Sequence, residues 1–179
     1  TSHGVEKTVL VQAAATVAET EYMLGLADAT PTVAGVVGWI DFEDPSERRT
    51  LERLAAHPAF KGVRPMIQDI PDDDWMLRAD VAWAFDTIAE LDLTLDALGF
   101  AQHQANFLTS LKRYPEMRVV CDHCLEPRIR EHSDGGFTTW ADGMTRIAEE
   151  TSAFCKLSGL VTEADDSWVV DDLRPYSDH

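Results

Sequence analysis

The segment Arg118-Val-Val-Cys-Asp-His-Cys-Leu-Glu-Pro127 sets the reading of the whole chain. A short apolar run, Val119 to Cys121, stops abruptly at Asp122 and His123. Its composition suits a buried strand whose carboxyl end is polar. Strand side chains alternate between faces, so His123 is expected on the face of Cys121 and Val119. Asp122 is expected on the opposite face, toward a helix layer.

Other stretches of the chain end in the same way. Lys7-Thr-Val-Leu-Val-Gln-Ala13 reads as a first strand with Gln12 near its end. Thr16-Val-Ala-Glu19 then has capping-box spacing and opens a helix to about Ala27. Val33 to Ile40 is a second strand ending near Trp39, and Asp44-Pro45-Ser46-Glu47 starts the helix after it. Gly62 to Met66 is a short third strand carrying Arg64; Pro65 must end or bulge it. An acidic loop, Gln68 to Trp75, precedes a helix over about 80–91. Leu93 to Leu98 is the fourth strand, with Asp96 inside it, and a helix over about 102–114 follows. After the opening segment comes a polar loop, Glu131 to Gly136, then a helix over about 138–151. Ala153 to Leu157 is the sixth strand, ending in Lys156, Ser158 and Gly159, and a last helical segment follows.

The strand-end residues Gln12, Trp39, Arg64, Asp96, His123 and Lys156 are 25 to 33 positions apart. Steps of that size are βα units, which imply parallel strands joined by helical crossovers. Two α/β architectures then compete. A doubly wound sheet places a glycine-rich phosphate loop after its first strand, and Ala13-Ala-Ala-Thr16 is not one. A (β/α)8 TIM barrel takes about 250 residues, so six units in 179 residues make about three quarters of one. Barrel active sites use the carboxyl ends of the strands, where the polar tips fall. The expected fold is therefore a single, partial α/β barrel domain over residues 1–179.

Composition narrows the function. Hydrophobic residues make up 45% of the chain, enough for a core. A formal charge of −17 argues against nucleic acid or an anionic membrane as partner. Three cysteines, Cys121, Cys124 and Cys155, fit a reducing, cytoplasmic setting better than a disulfide framework. Homo-oligomerisation is left open.

The chain resembles the amidohydrolase-related family of the amidohydrolase superfamily, which includes L-fuconolactone and L-rhamnonolactone hydrolases. It also looks related to that superfamily's 2-pyrone-4,6-dicarboxylate lactonases. The matching segments are Val9-Leu-Val-Gln-Ala13, Gly35-Val-Val-Gly-Trp39, Lys61-Gly-Val-Arg-Pro-Met-Ile-Gln-Asp69, Asp74-Trp75, Val119-Val-Cys-Asp-His123 and Cys155-Lys-Leu-Ser-Gly-Leu160 with Thr162-Glu163. They follow the family's order along nearly the whole chain. The resemblance implies that residues 1–179 cover the second to seventh strands. A His-x-His pair of the first strand and an Asp of the eighth would lie outside them, and the chain by itself would not turn over a lactone.

The resemblance implies a hydrolase that opens a small sugar-acid lactone by water attack on its carbonyl. A barrel decarboxylase and an inactive partial barrel are the alternatives. His123 is the expected catalytic residue, as a metal ligand or as a donor to the carbonyl. Gln12, Arg64, Trp39, Trp75 and Lys156 are the expected substrate-binding residues. Gln12 offers an uncharged amide, Arg64 a fork of donors, and Lys156 a cation. Each has a structural reading beside it: an interstrand hydrogen bond for Gln12, a barrel-mouth ion pair for Arg64, core packing for Trp39, and snorkelling to solvent for Lys156, for which a charge partner or a substrate contact is the alternative. Trp75, beside three aspartates in a long loop, is the better stacking surface of the two tryptophans. One divalent metal, zinc first, fits the family, and metal-independent catalysis remains open. Cys121, Cys124 and Cys155 with His123 have the composition of a zinc knuckle, but alternation places Cys124 beyond the strand.

Overall fold

A computed structural model of the chain describes residues 3–131 and 134–179. Among these residues there are six strands: β1 (Thr8–Val11), β2 (Val33–Gly38), β3 (Phe60–Val63), β4 (Thr94–Ala97), β5 (Arg118–Cys121) and β6 (Phe154–Cys155). The helices between and after them are α1 (Val17–Ala29), α2 (Arg48–Ala55), α3 (Ala82–Glu90), α4 (Gln104–Arg113), α5 (Asp134–Glu150), α6 (Leu160–Glu163) and α7 (Val170–Asp178). The strand order is the chain order, β1 to β6. The described pairings of β1 with β2, β2 with β3, β3 with β4 and β5 with β6 are all parallel. A doubly wound sheet reverses its strand order at a switch point. No reversal occurs here, so the connectivity is that of a (β/α)8 barrel with six of its eight units.

The chain divides into two compact units. The first runs through Pro65 and adds Arg78–Asp96 and Glu116–Arg118; the second holds Met66–Leu77, Ala97–Pro115 and Val119–His179.

In the first unit, α1 begins where the sequence places it. Thr16 Oγ1 accepts from the Glu19 N–H at 3.2 Å. The Glu19 carboxylate reaches back to the N–H groups of Ala13 (2.9 Å) and Ala14 (2.7 Å) rather than to Thr16. These bonds satisfy donors that a helix start otherwise orphans. Asp44 caps the 3-10 turn Pro45–Glu47 that leads into α2, accepting from Ser46 N–H. β3 lies slightly earlier than expected and leaves Pro65 outside the ladder, because proline has no N–H to donate. Val36, Val63, Leu51 and Ile88 are fully buried, each worth about 1.5–3 kcal/mol of burial. The Phe42 and Phe85 rings meet edge to face at 5.4 Å.

The second unit is built around Cys124, Ile129, Trp140, Ala141, Leu160 and Ala164, with Phe137 and Tyr176 packed against them. Phe137 and Tyr176 meet at 5.1 Å and 86°. Helix α5 starts at Asp134, so Gly135 and Gly136 are helical rather than part of the expected loop. His132 and Ser133 of that loop lie outside the described residues. Strand β6 is only Phe154–Cys155. Among the described residues, no helix is long and apolar enough to cross a membrane.

Candidate functional site

The first unit ties the ends of β1, β2 and β3 together. Gln12 is fully buried just past β1. Its backbone N–H donates to Val37 O (2.9 Å), and its amide Nε2 donates to Arg64 O (2.8 Å). The Arg64 guanidinium donates back to the Gln12 carbonyl, and Arg64 N–H bonds Gly38 O at 2.9 Å. Gln12 and Arg64 therefore meet directly, and each helps fix the other's strand end. The interstrand reading of Gln12 is present in full. For Arg64 one partner is the Gln12 backbone carbonyl.

Trp39 is half-buried one residue past β2, and its N–H donates to Thr20 Oγ1 of α1 at 2.9 Å. Thr20 comes this close because Gly38 has no Cβ, which would sit 2.3 Å from the threonine methyl. Asp96 is 1% exposed in β4.

The second unit holds His123, Lys156 and Trp75. The alternation expected beyond Cys121 does not continue. His123, Cys124, Leu125 and Glu126 have φ of 52°, 55°, 53° and 42°, a run of four left-handed non-glycine residues. Each costs about 1–2 kcal/mol, and the surroundings hold the turn. Leu125 is fully buried, and the Trp140 indole donates to Cys124 O at 2.7 Å. Cys124 Sγ lies 3.5 Å from Lys156 O, and Glu126 N–H bonds His123 O at 3.0 Å. The His123 ring is half-exposed and its Nδ1 lies 2.9 Å from Ser158 Oγ, in the loop after β6. Gly159 has φ of 72°, and a Cβ there would fall 2.8 Å from His123 Cβ and Cγ. Glycine is what lets this loop close on the imidazole. Among the described residues, Nε2 of His123 has no hydrogen-bond partner. In the sequence Ser158 stands out only as part of the Lys-Leu-Ser-Gly segment; its role depends on a tertiary contact with the end of β5 that no local pattern signals.

Lys156 Nζ lies 2.5 Å from Asp122 Oδ1, with the aspartate side chain 1% and the lysine 34% exposed. Asp122 thus turns to Lys156 rather than out to a helix layer, because the chain leaves extended geometry directly after Cys121. The charge-partner reading of Lys156 is the one the geometry displays.

Trp75 sits in the 3-10 turn Trp75–Leu77 and is 2% exposed, so it presents no open ring face to stack on. The aspartates before it have structural partners. Asp73 Oδ1 takes His103 Nε2 at 3.1 Å and Gln102 Nε2 at 3.3 Å. Asn106 Nδ2 donates to Asp73 O (2.7 Å) and Asp74 Oδ1 (2.9 Å). The start of α4 pins the acidic loop. The buried His103 accepts from Phe100 N–H at Nδ1 (2.9 Å), which leaves its Nε2–H to donate to Asp73.

The three thiols are free and lie in this unit. A hydrogen bond from Cys155 draws the Cys124 thiol down to about 7 and raises that of Cys155. Burial pushes Cys121 up to about 12. A catalytic zinc site needs about three protein ligands. Among the described residues, no group of three or more His, Cys, Asp or Glu side chains could hold a metal ion. His123 supplies one donor, so the described residues alone do not fit a metal.

The amidohydrolase family model matches residues 1–179. An L-fucono-1,5-lactonase of Burkholderia ambifaria is 40% identical over 161 residues, 90% of this chain and 54% of that protein. A second L-fucono-1,5-lactonase, from Burkholderia multivorans, is 32% identical over 88% of this chain and 54% of its own length. Among solved structures, a Burkholderia multivorans amidohydrolase with bound zinc matches with a TM-score of 0.84 and 30% identity. That match covers 97% of this chain and 61% of the other. A probable 2-pyrone-4,6-dicarboxylic acid hydrolase of Acinetobacter baumannii, at 16% identity and a TM-score of 0.74, shares the fold. The chain spans about half the length of the curated relatives it matches. With the strand order, the strand-end histidine and these likenesses together, the chain belongs to the amidohydrolase family.

Proposed function

We propose that the whole protein is a hydrolase that opens a sugar-acid lactone, with His123 as the group that meets the lactone carbonyl. The observation that carries this is the seating of His123. The ring stands at a strand end, half-exposed, with Nδ1 taken by Ser158 and Nε2 free of partners among the described residues. The relatives named L-fucono-1,5-lactonase supply the substrate class.

Attack of water on a lactone carbonyl places negative charge on its oxygen. A fixed N–H aimed at that oxygen stabilises the transition state more than the ground state. His123 Nε2–H fills that role. Gln12 and Arg64 contribute to substrate binding through the strand ends they brace, Trp39 through its half-exposed ring, and Lys156 through its solvent-facing third. The base for the attacking water is the family's aspartate, outside residues 1–179. A related amidohydrolase was crystallised with zinc, so a divalent ion belongs to the reading of the whole protein, but with its proton on Nε2 and Nδ1 taken by Ser158, His123 acts here as the donor to the carbonyl and not as a ligand. The three free thiols support a reducing, cytoplasmic setting.

The test is a panel of sugar lactones assayed on full-length protein, with and without chelator. Ring opening without release of carbon dioxide, lost by about 100-fold or more in His123→Gln, is the expected result. Undiminished turnover by that variant would remove His123 from the chemistry.

A further inference from the structure

We infer that Ser158 is a positioning residue that fixes the tautomer of His123, holding the ring proton on Nε2. This rests on the proposed role of His123, and it deepens that role by saying which form of the imidazole meets the substrate.

The geometry begins with two constrained backbones. His123 sits at φ 52°, at the head of the left-handed turn, so the root of its side chain is set by the turn and not by strand alternation. Opposite it, Ser158 N–H bonds Lys156 O at 3.0 Å. Gly159 O accepts from Thr162 N–H (3.0 Å) and from Thr162 Oγ1 (2.5 Å). The loop bearing Ser158 is thus anchored on both sides. Gly159, at φ 72°, removes the one atom that would push it off the ring. The result is a 2.9 Å contact between Nδ1 and Oγ.

A hydroxyl can donate or accept, so this contact permits two states. If Nδ1 carries the proton, Oγ accepts and Nε2 offers a lone pair. If Oγ donates, Nδ1 is the bare imine nitrogen and the proton sits on Nε2. Imidazole imine nitrogen is a far stronger base than a hydroxyl oxygen, so O–H···N is the better-matched bond. Oγ has no other hydrogen-bond partner among the described residues, so nothing else claims its hydrogen. Neutral His123 therefore presents Nε2–H outward, as a donor to an oxygen that gains negative charge. Without the hydroxyl, Nδ1 is left to water and the ring samples both tautomers, one of which turns a lone pair toward the carbonyl. Ser158 itself forms no bond to substrate in this scheme.

The experiment pairs a direct readout with kinetics, both on full-length protein. Long-range nitrogen–proton correlation spectra, at a pH where the ring is neutral and with chelator present, report which nitrogen carries the proton. His123→Gln assigns the signals. The wild type is expected to show a protonated Nε2 and an imine-like Nδ1. Ser158→Ala is expected to shift the ring toward a tautomer mixture and to lower kcat about tenfold with KM within about twofold. Ser158→Thr, which keeps the hydroxyl, is expected to restore the spectrum. A wild-type ring protonated at Nδ1, or a Ser158→Ala spectrum identical to wild type, would overturn the inference. If the spectra behave as expected while His123→Gln turns over lactones normally, the tautomer assignment stands and the catalytic reading of His123 falls.

Discussion

Breaking the Lys156–Asp122 pair from its two ends should have unequal costs. The carboxylate is 1% exposed and the ammonium end about a third exposed, 2.5 Å apart. Lys156→Met withdraws the cation from a carboxylate that stays buried. Removing one partner of a fully buried pair costs about 3–5 kcal/mol. Solvent screening at the lysine end lowers the expectation to about 2–3 kcal/mol. Asp122→Asn keeps the shape and an acceptor for Nζ, and the ammonium can swing further into water. That change should cost about 1 kcal/mol. For a chain of this length, 1 kcal/mol moves Tm by about 2–4 °C. Lys156→Met should therefore lower Tm by about 4–12 °C and Asp122→Asn by about 2–4 °C. Urea unfolding followed by circular dichroism checks the ranking, with unchanged slopes as the sign that only stability moved. Equal losses, or a larger loss for Asp122→Asn, would refute the argument that the buried carboxylate dominates the asymmetry.

Three further outcomes follow from the same contacts. Gly159→Ala adds strain at φ 72° and a methyl 2.8 Å from the His123 side chain; it should lower activity of the full-length protein by more than about tenfold while costing about 1–2 kcal/mol of stability. Gln12→Met removes the donor to Arg64 O and should cost about 1–3 kcal/mol in urea unfolding. Cys124 titrates at about 7 because Cys155 donates to it. Its ionisation thus favours the folded state, a contribution absent below pH 7 that grows toward the ordinary thiol range. Ultraviolet thiolate absorbance should show one early thiolate in wild type. In Cys155→Ala that ionisation should move up toward ordinary values.

Much of the fold was legible because its signals are local. Thr16 with Glu19, and Asp44 with Ser46, satisfy helix-start donors within a few residues of themselves, and both mark real starts. The apolar runs before Gln12, Trp39 and His123 are real strands, and the 25 to 33 positions between successive strand ends carried the parallel topology. What was not legible depends on distant partners. Gly135 and Gly136 look like loop residues, yet they belong to α5, whose Phe137 and Trp140 are packed into the second unit. The acidic stretch before Trp75 looks like a substrate loop. Its aspartates instead meet His103 and Asn106, about thirty positions later. Alternation failed at His123 because no glycine or asparagine announces a left-handed turn there. Its conformation is imposed by Leu125 burial and the Trp140 indole.

That turn also has a use for protein engineering. Four residues other than glycine at positive φ are a reserve of unrealised thermostability close to the candidate chemistry. Glu126, with φ of 42° and a half-buried side chain, closes the run three positions beyond His123. Glycine or asparagine at that position adopts the left-handed region at lower cost. The gain in heat tolerance there is the backbone relief less what the Glu126 side chain contributes to its own partners.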